Sequence, residues 1–249
     1  MSERLAIVLA AGKGSRMNSD LPKVLHPVRG RPMIEYVLQS LEEGGVDGCV
    51  VVIGYGGDLV REALADYTSV EFAEQNVQHG TGHAVMMCRE QLVAHDGPVV
   101  IVTGDSPLLR PASLRKLLEK FEIEKPACLL GTLHKEDPTG LGRIVRDENQ
   151  AFVGIVEHKD ATPEQLAVTE VNMSTYVFNS QDLILALDQL SNDNNQGEYY
   201  LTDCPGILRR MGRPVDALPV LEPCEALSIN TLDDLARVEA EMQKLNEQA

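Results

Sequence analysis

Residues 9–23 read LAAGKGSRMNSDLPK, placing Gly12, Gly14, Lys13, Arg16 and Lys23 within one short stretch. Glycine takes backbone angles closed to other residues, and without a side chain its peptide N–H groups can approach an anion closely. Pro22 fixes its own φ and biases the preceding residues toward an extended path, which presents Lys23 at a defined place. Glycine turn and cations together could cradle a polyphosphate. The spacing fits neither the dinucleotide fingerprint G-x-G-x-x-G nor the P-loop G-x-x-x-x-G-K-[ST]. An ordinary strand-to-loop turn accounts for the two glycines equally well; Arg16 and the Pro22-Lys23 pair tip the balance.

A second candidate is Asp105, in Gly104-Asp105-Ser106-Pro107 at the end of an apolar run. A carboxylate there suits Mg²⁺, a hard cation that keeps several waters and takes one or two protein oxygens plus phosphates. An Asx-turn before a helix is the other reading. Gln75 and Gln78 precede Gly80-Thr81-Gly82, and amides offer a donor and an acceptor to a pyrimidine edge; the same stretch also fits a solvated loop. His83 and the other histidines show no metal-ligand or triad arrangement and are assigned to packing or surface.

The elements that must position these residues alternate. Strand-like runs lie near Leu5–Leu9, Cys49–Ile53, Val70–Phe72, Val99–Thr103 and Cys128–Leu133, separated by helical patterns over Met33–Glu43, Asp58–Ala65, Gly82–Ala94 and Ala112–Glu122. Such alternation predicts an α/β fold, a Rossmann-like, mostly parallel mixed sheet with helices on both faces. Ligands in these sheets sit beyond the carboxyl ends of the strands, where Gly12 to Arg16 and Asp105 would meet. Past residue 140 the pattern turns β-rich: a hairpin of Gly142–Arg146 and Phe152–Glu157, then a strand over Val171–Phe178. A helix over Gln181–Leu190 follows, and a last one runs from Leu232 to about Leu245, capped by Thr231 or Asn230.

The chain has 249 residues, 43% of them hydrophobic and 24% charged, with a formal net charge of −16. The acidity argues against a nucleic-acid partner. It also burdens any enzyme of anionic substrates, because two phosphates near contact repel by roughly several kcal/mol even at an effective dielectric of about 20. A local basic cluster, with Lys13, Arg16 and Lys23 lying together, and a metal ion would offset that field. No apolar run approaches membrane-spanning length and no signal peptide is expected. Five scattered cysteines without a C-x-x-C pair read as reduced, mostly packed thiols of a cytoplasmic protein.

Taken together, L-x-x-G-x-G-x-R-M followed by L-P-K resembles the signature of sugar-nucleotide pyrophosphorylases. The likeness is strongest to the uridyltransferase half of the bacterial bifunctional N-acetylglucosamine-1-phosphate uridyltransferases/glucosamine-1-phosphate acetyltransferases. Segments GTGHA (80–84), GDSPLL (104–109), DPTGLGRIVR (137–146), IVEHKDAT (155–162) and NNQGEYYLTD (194–203) extend it in the family's order across nearly the whole chain.

The resemblance implies one nucleotidyltransferase domain over residues 1–249. Its parts would be a nucleotide-binding part (1–135), a sugar-binding part (136–230) and a C-terminal helix (231–249). It implies UTP and a hexosamine 1-phosphate as substrates, Mg²⁺ on Asp105 and Asn230, Arg16 on the leaving pyrophosphate, and Lys23 bridging the reacting phosphates. Gln75 and Gly80 would read uracil, helped by the backbone at Ala10, Ala11 and Gly12, with Gly14, Gln78 and Thr81 as further substrate-binding residues. Gly142, Glu157 and Asn172 would bind the sugar.

Departures at Thr103, Leu141 and Met173-Ser174 fall on the implied sugar side, whereas Ser106 stands where Val is usual. They leave glucosamine derivatives as the expected acceptors. Another sugar or base on the same fold, or a non-catalytic sugar-nucleotide sensor, are the alternatives. The family's hexapeptide-repeat β-helix is missing from the sequence, so acetyl transfer is not expected of it.

Overall fold

Strand and helix alternate from the start, and a computed structural model describing residues 3–248 shows how the alternation closes. In β1 (Leu5–Leu9), Ala6, Ile7 and Val8 are fully buried. Both faces are therefore covered, as in a central parallel strand, and each such branched side chain contributes roughly 1.5–3 kcal/mol. A ribbon of β2 (Pro27–Val28) and β3 (Arg31–Pro32) leads into α1 (Met33–Glu43). Then come β4 (Gly48–Ile53), α2 (Gly57–Ala63), β5 (Val70–Glu74), α3 (Thr81–Met86), α4 (Arg89–Ala94), β6 (Pro98–Thr103), α5 (Pro111–Glu124) and β7 (Cys128–His134). The second half holds β8 (Arg143–Arg146), β9 (Phe152–Val156), α6 (Pro163–Leu166) and β10 (Glu170–Asn179). It ends with α7 (Ser180–Leu187), α8 (Asp203–Arg210), β11 (Val215–Leu218) and α9 (Leu232–Gln248).

Nine strands form the main sheet, ordered β11-β7-β10-β6-β1-β4-β5, with β8 joined to β10 and β9 to β8. β1 lies parallel to β4 and β6, β4 to β5, and β11 to β7, whereas β10 runs antiparallel to both β6 and β7. Alternate residues divide between two cores. Ala6, Val8, Val51 and Ile53 pack with side chains of α1, α2, α5 and α9. Ile7, Val50, Val52 and Ile101 pack with α3, α4, α7 and α8. The expected mixed, mostly parallel sheet with helices on both faces is the observed one.

One local expectation is corrected and two elements are added to those expected. The helix over 82–94 is broken: Cys88 (φ −91°, ψ 16°) leaves helical geometry, and its N–H bonds tightly back to Val85 O at 3.0 Å. α8 was not foreseen because Pro205 and Gly206 disfavour helix. Pro205 falls in the first turn, where it is tolerated, and burial of Cys204, Ile207 and Leu208 prevails. β11 is a four-residue edge strand, too short to carry a readable alternation. All five cysteines are free and buried, and no described helix is long and apolar enough to cross a membrane.

Candidate active site

Because β1, β4, β5 and β6 run in one direction, Leu9, Ile53, Glu74 and Thr103 all end at one edge of the sheet. Antiparallel β10 brings its beginning, with Asn172, to that same edge. β8 and β9 add Gly142 and Glu157 through the pairings Val171↔Arg143 and Arg143↔Val156. Topology alone thus gathers residues from position 10 to position 172.

At the β1 end the chain turns through Gly14 (φ +64°) into a short 3₁₀ turn, Ser15–Met17. A Cβ on Gly14 would lie 2.7 Å from Lys23 Cβ, so the glycine turn and Lys23 are packed directly together. Pro22 is seated in turn against Gly56, whose Cβ would come within 2.5 Å of its ring. Lys23 Nζ donates to a carboxylate oxygen of Asp105 and, at 2.8 Å, to Asn230 Oδ1. An Arg16 guanidinium N–H donates to the same Asn230 oxygen at 2.9 Å. The side chains of Lys23 and Asp105 are 13% and 20% exposed, enclosed yet reachable.

Asn230 is not the cap of α9: Thr231 Oγ1 accepts from Asp234 N–H at 3.2 Å, while Asp234 accepts from both backbone N–H groups of Asn230 and Thr231. That frees the Asn230 amide for the cluster, and its Nδ2 donates to Ser228 Oγ at 3.2 Å. Lys13 does not join the other two cations; its ammonium lies 5.1 Å over the Tyr55 ring. The reason is that Gly14 turns the chain between Lys13 and Arg16, and an aromatic face attracts an ammonium.

The glutamine loop is tied inward. Gln75 is buried, its Nε2 bonded to Gly80 O (3.1 Å) and His83 Nδ1 (2.9 Å), and Gln78 Nε2 donates to Ala11 O at 2.6 Å. His83 therefore does more than pack, since it accepts from Gln75 and orients it. Burial, with His79 beside it, holds its pKa below the ordinary value, which suits a neutral acceptor. Ala10 N–H is spent on Val52 O at 2.9 Å, and Thr81 Oγ1 accepts from Leu201 N–H at 3.1 Å. Gly80 is needed for a neighbouring segment: its Cβ would meet Tyr199 O at 2.6 Å. Gly12, by contrast, faces open space, with nothing within 4 Å of a Cβ added there.

At the other end Gly142, Glu157 and Asn172 form one corner; a Cβ on Gly142 would touch Asn172 Cβ and Glu157 Oε1, both at 3.6 Å. Asn172 Nδ2 donates to Tyr176 Oη at 2.7 Å, and Asn172 Oδ1 accepts from Ser174 N–H at 3.2 Å. Glu157 does not pair with Lys159, which bonds Gln196; it accepts from Thr202 Oγ1 at 3.1 Å. Burial pushes the Glu157 carboxyl above the usual range, the Thr202 bond opposes this, and Asp160 and Asp203 add to it. Sequence reasoning missed Thr202 because its partner Glu157 is distant in the chain, and missed Tyr176, Ser228 and His83 because no pattern of residue types marks their bonds to the nearby Asn172, Asn230 and Gln75.

The chain matches the model of the MobA-like NTP transferase domain over residues 6–202. It belongs to that family. Among curated proteins it is 41% identical over its whole length to the bifunctional protein GlmU of Shouchella clausii, of which it covers 54%. Over 98% of its length it is 44% identical to GlmU of Limosilactobacillus fermentum, covering 53% of that protein. The chain thus spans about half the length of the curated relatives it matches. A solved structure from Bacillus anthracis, assigned as a glucose-1-phosphate thymidylyltransferase, shares the fold with a TM-score of 0.76. It is 19% identical, with 96% of this chain and 94% of that one covered.

In an NTP transferase domain, a cation cluster at this edge is chemically suited to phosphates. The matched span holds Arg16, Lys23 and Asp105; Asn230 lies beyond it, within the length shared with GlmU of Shouchella clausii. Among the described residues no group of three or more His, Cys, Asp and Glu side chains gathers as a metal cage. An Asp105 carboxylate oxygen and Asn230 Oδ1 nevertheless converge on one positive point, Lys23 Nζ. Two hard oxygens aimed at one cation position fit Mg²⁺, whose remaining ligands are water and phosphate.

Proposed function

We propose that the chain is a sugar-1-phosphate uridylyltransferase that makes UDP-N-acetylglucosamine and pyrophosphate from UTP and N-acetylglucosamine 1-phosphate. One observation carries the reading: Arg16, Lys23, Asp105 and Asn230, far apart in sequence, meet in one hydrogen-bonded cluster at the carboxyl edge. The nearly full-length identity to GlmU supports the choice of substrates.

The reaction joins an oxygen of the sugar phosphate to the α-phosphorus of UTP and breaks the bond to pyrophosphate, which leaves with the electron pair. The attacking phosphate is ionised at neutral pH, so no protein base is required, and catalysis rests on placement and charge. Asp105 and Asn230 would hold Mg²⁺, which when bound neutralises phosphate charge. Lys23, anchored between Pro22 and Gly14, bridges the two reacting phosphates and gains strength as charge shifts. Arg16, exposed at the turn, holds the departing pyrophosphate. Gly12 offers its backbone to the nucleotide, and Gln75, held by His83, reads the base with Gln78. Glu157, Asn172 and the Gly142 backbone take the sugar hydroxyls and acetamido group.

Pyrophosphate release from UTP and N-acetylglucosamine 1-phosphate, with and without Mg²⁺, tests this against a panel of other triphosphates and sugar 1-phosphates. Mg-dependent release highest for that pair is expected. A different best pair would reassign the substrates, and binding without release from any pair would favour a sensor.

A further inference from the structure

The two oxygens suited to the divalent ion already hold a cation that belongs to the chain. Lys23 Nζ bonds a carboxylate oxygen of Asp105 and, at 2.8 Å, Asn230 Oδ1. We propose that Lys23 and the divalent ion compete for this one oxygen pair, so that metal loading expels the ammonium and turns it toward the phosphates. The inference rests on the uridylyltransferase reading of the site and adds to it a coupling between metal entry and lysine release.

The competition follows from space and charge. An ion bonding both oxygens occupies the gap between them, where Nζ now sits, and two positive charges cannot share that gap without strong repulsion. Lys23 can yield only at its tip. Its backbone lies in a 3₁₀ turn whose Val24 and Leu25 are buried, and Gly14 leaves no room at its Cβ. The ammonium must therefore swing on its flexible stem. Gly12, in the same loop, has nothing within 4 Å of an added Cβ, so the loop leaves open space for a phosphate chain to meet the ammonium. Arg16 is exposed and shares the Asn230 oxygen, so it is shed with Lys23.

The exchange has a use. Before loading, Lys23 neutralises Asp105, which keeps a bare carboxylate from repelling an arriving triphosphate in a chain of net charge −16. After loading, the same lysine becomes available to that triphosphate. By reciprocity, whatever draws Lys23 away from the pair tightens metal binding.

The test uses Mn²⁺ alone as probe, followed by electron paramagnetic resonance on the nucleotide-free chain as wild type, Lys23→Met and Asp105→Ala. Asp105→Ala should lose the ion, and Lys23→Met should bind it tighter by about two- to five-fold, the order of one ion pair. In the wild type, Mg²⁺ should raise acylation of Lys23 relative to Lys13, mapped by mass spectrometry; this reading stands even if Lys23→Met fails to fold. Unchanged or weaker Mn²⁺ binding in a folded Lys23→Met protein, or Lys23 acylation indifferent to Mg²⁺, overturns the exchange and leaves the uridylyltransferase reading intact. Wild-type Mn²⁺ affinity in Asp105→Ala would instead remove the metal site itself, and both ideas with it.

Discussion

At one end of the carboxyl edge, Lys23, Arg16 and Asp105 meet as opposite charges, partly open to solvent and joined through Asn230. At the other, Asn172 is buried and Glu157 half-buried, each held by a hydroxyl, Tyr176 and Thr202. The first arrangement can change partners, because every bond in it is between side chains that an ion or a phosphate can replace. The second is fixed by burial and by β-sheet register, so it offers set donors and acceptors to neutral groups. Burial also raises the pKa of Glu157, with Asp160 and Asp203 adding to it and the Thr202 bond opposing. On the proposed reading, the charged part of the substrate would meet mobile charge and the neutral part fixed polarity.

Removing Lys23 should break the phosphate end most severely. Lys23→Ala is expected to lower kcat by about 100- to 1,000-fold, the range for deleting one preorganised transition-state donor, with little change in the KM for UTP. Steady-state kinetics checks this; equal losses in both terms would make Lys23 a binding residue only.

The two glycines of the turn sharpen the same end. Gly14→Ala places a Cβ 2.7 Å from Lys23 Cβ at a φ of +64°, which costs about 1–2 kcal/mol and displaces the root of the lysine. A drop of several degrees in Tm together with reduced kcat is expected. Gly12→Ala meets no atom within 4 Å, so Tm should hold while UTP affinity falls by about ten-fold, as for loss of one close backbone contact. If Gly12→Ala binds UTP normally, the nucleotide does not pass that backbone.

At the sugar corner the corresponding probe is pH. Burial raises the folded-state pKa of Glu157, so between the ordinary carboxylate range and that raised value the native protein holds more protons than the unfolded chain. Stability then falls as pH rises through the window, and the full cost of the buried charge remains above it. Glu157→Gln keeps an oxygen for Thr202 and cannot ionise. Its Tm relative to wild type should climb from acid to neutral pH; a constant difference would mean that folding does not raise the Glu157 pKa. Asp203, also raised by burial, adds to the Glu157 shift, so Asp203→Asn is measured beside Glu157→Gln to separate the two.

Much of the phosphate end was legible because glycine, proline and cations crowd one short stretch, and because strand ends of a parallel sheet must share an edge. The gathering of Gly142, Glu157 and Asn172 depended on resemblance, since only the reversed direction of β10 and the pairing of β8 explain why they touch. Lys13 misled: its charge fitted the cluster, but a residue's place in a tight turn decides its direction, and Tyr55 was out of view. Gly80 has a second use that its sequence context does not show: the fold needs it bare where Tyr199 passes. The unbroken helix over 82–94 fitted its periodicity, and no local signal marks Cys88 as the break.

Ser228 separates the two ends by the smallest effect. Its hydroxyl accepts from Asn230 Nδ2 at 3.2 Å, so it sets which face of the amide meets the cations. While Lys23 and Arg16 touch Oδ1, they impose the same orientation and Ser228 adds little. Once those cations leave for phosphate, the serine is the remaining restraint. Ser228→Ala should therefore raise the Mg²⁺ concentration for half-maximal rate by about three- to ten-fold, the worth of one hydrogen bond, without altering the KM for the sugar phosphate. Ser228→Thr retains the hydroxyl and should restore the wild-type Mg²⁺ requirement. A sugar-phosphate KM that moves with Ser228→Ala would show that the two ends are coupled through the Asn230 segment instead of acting apart.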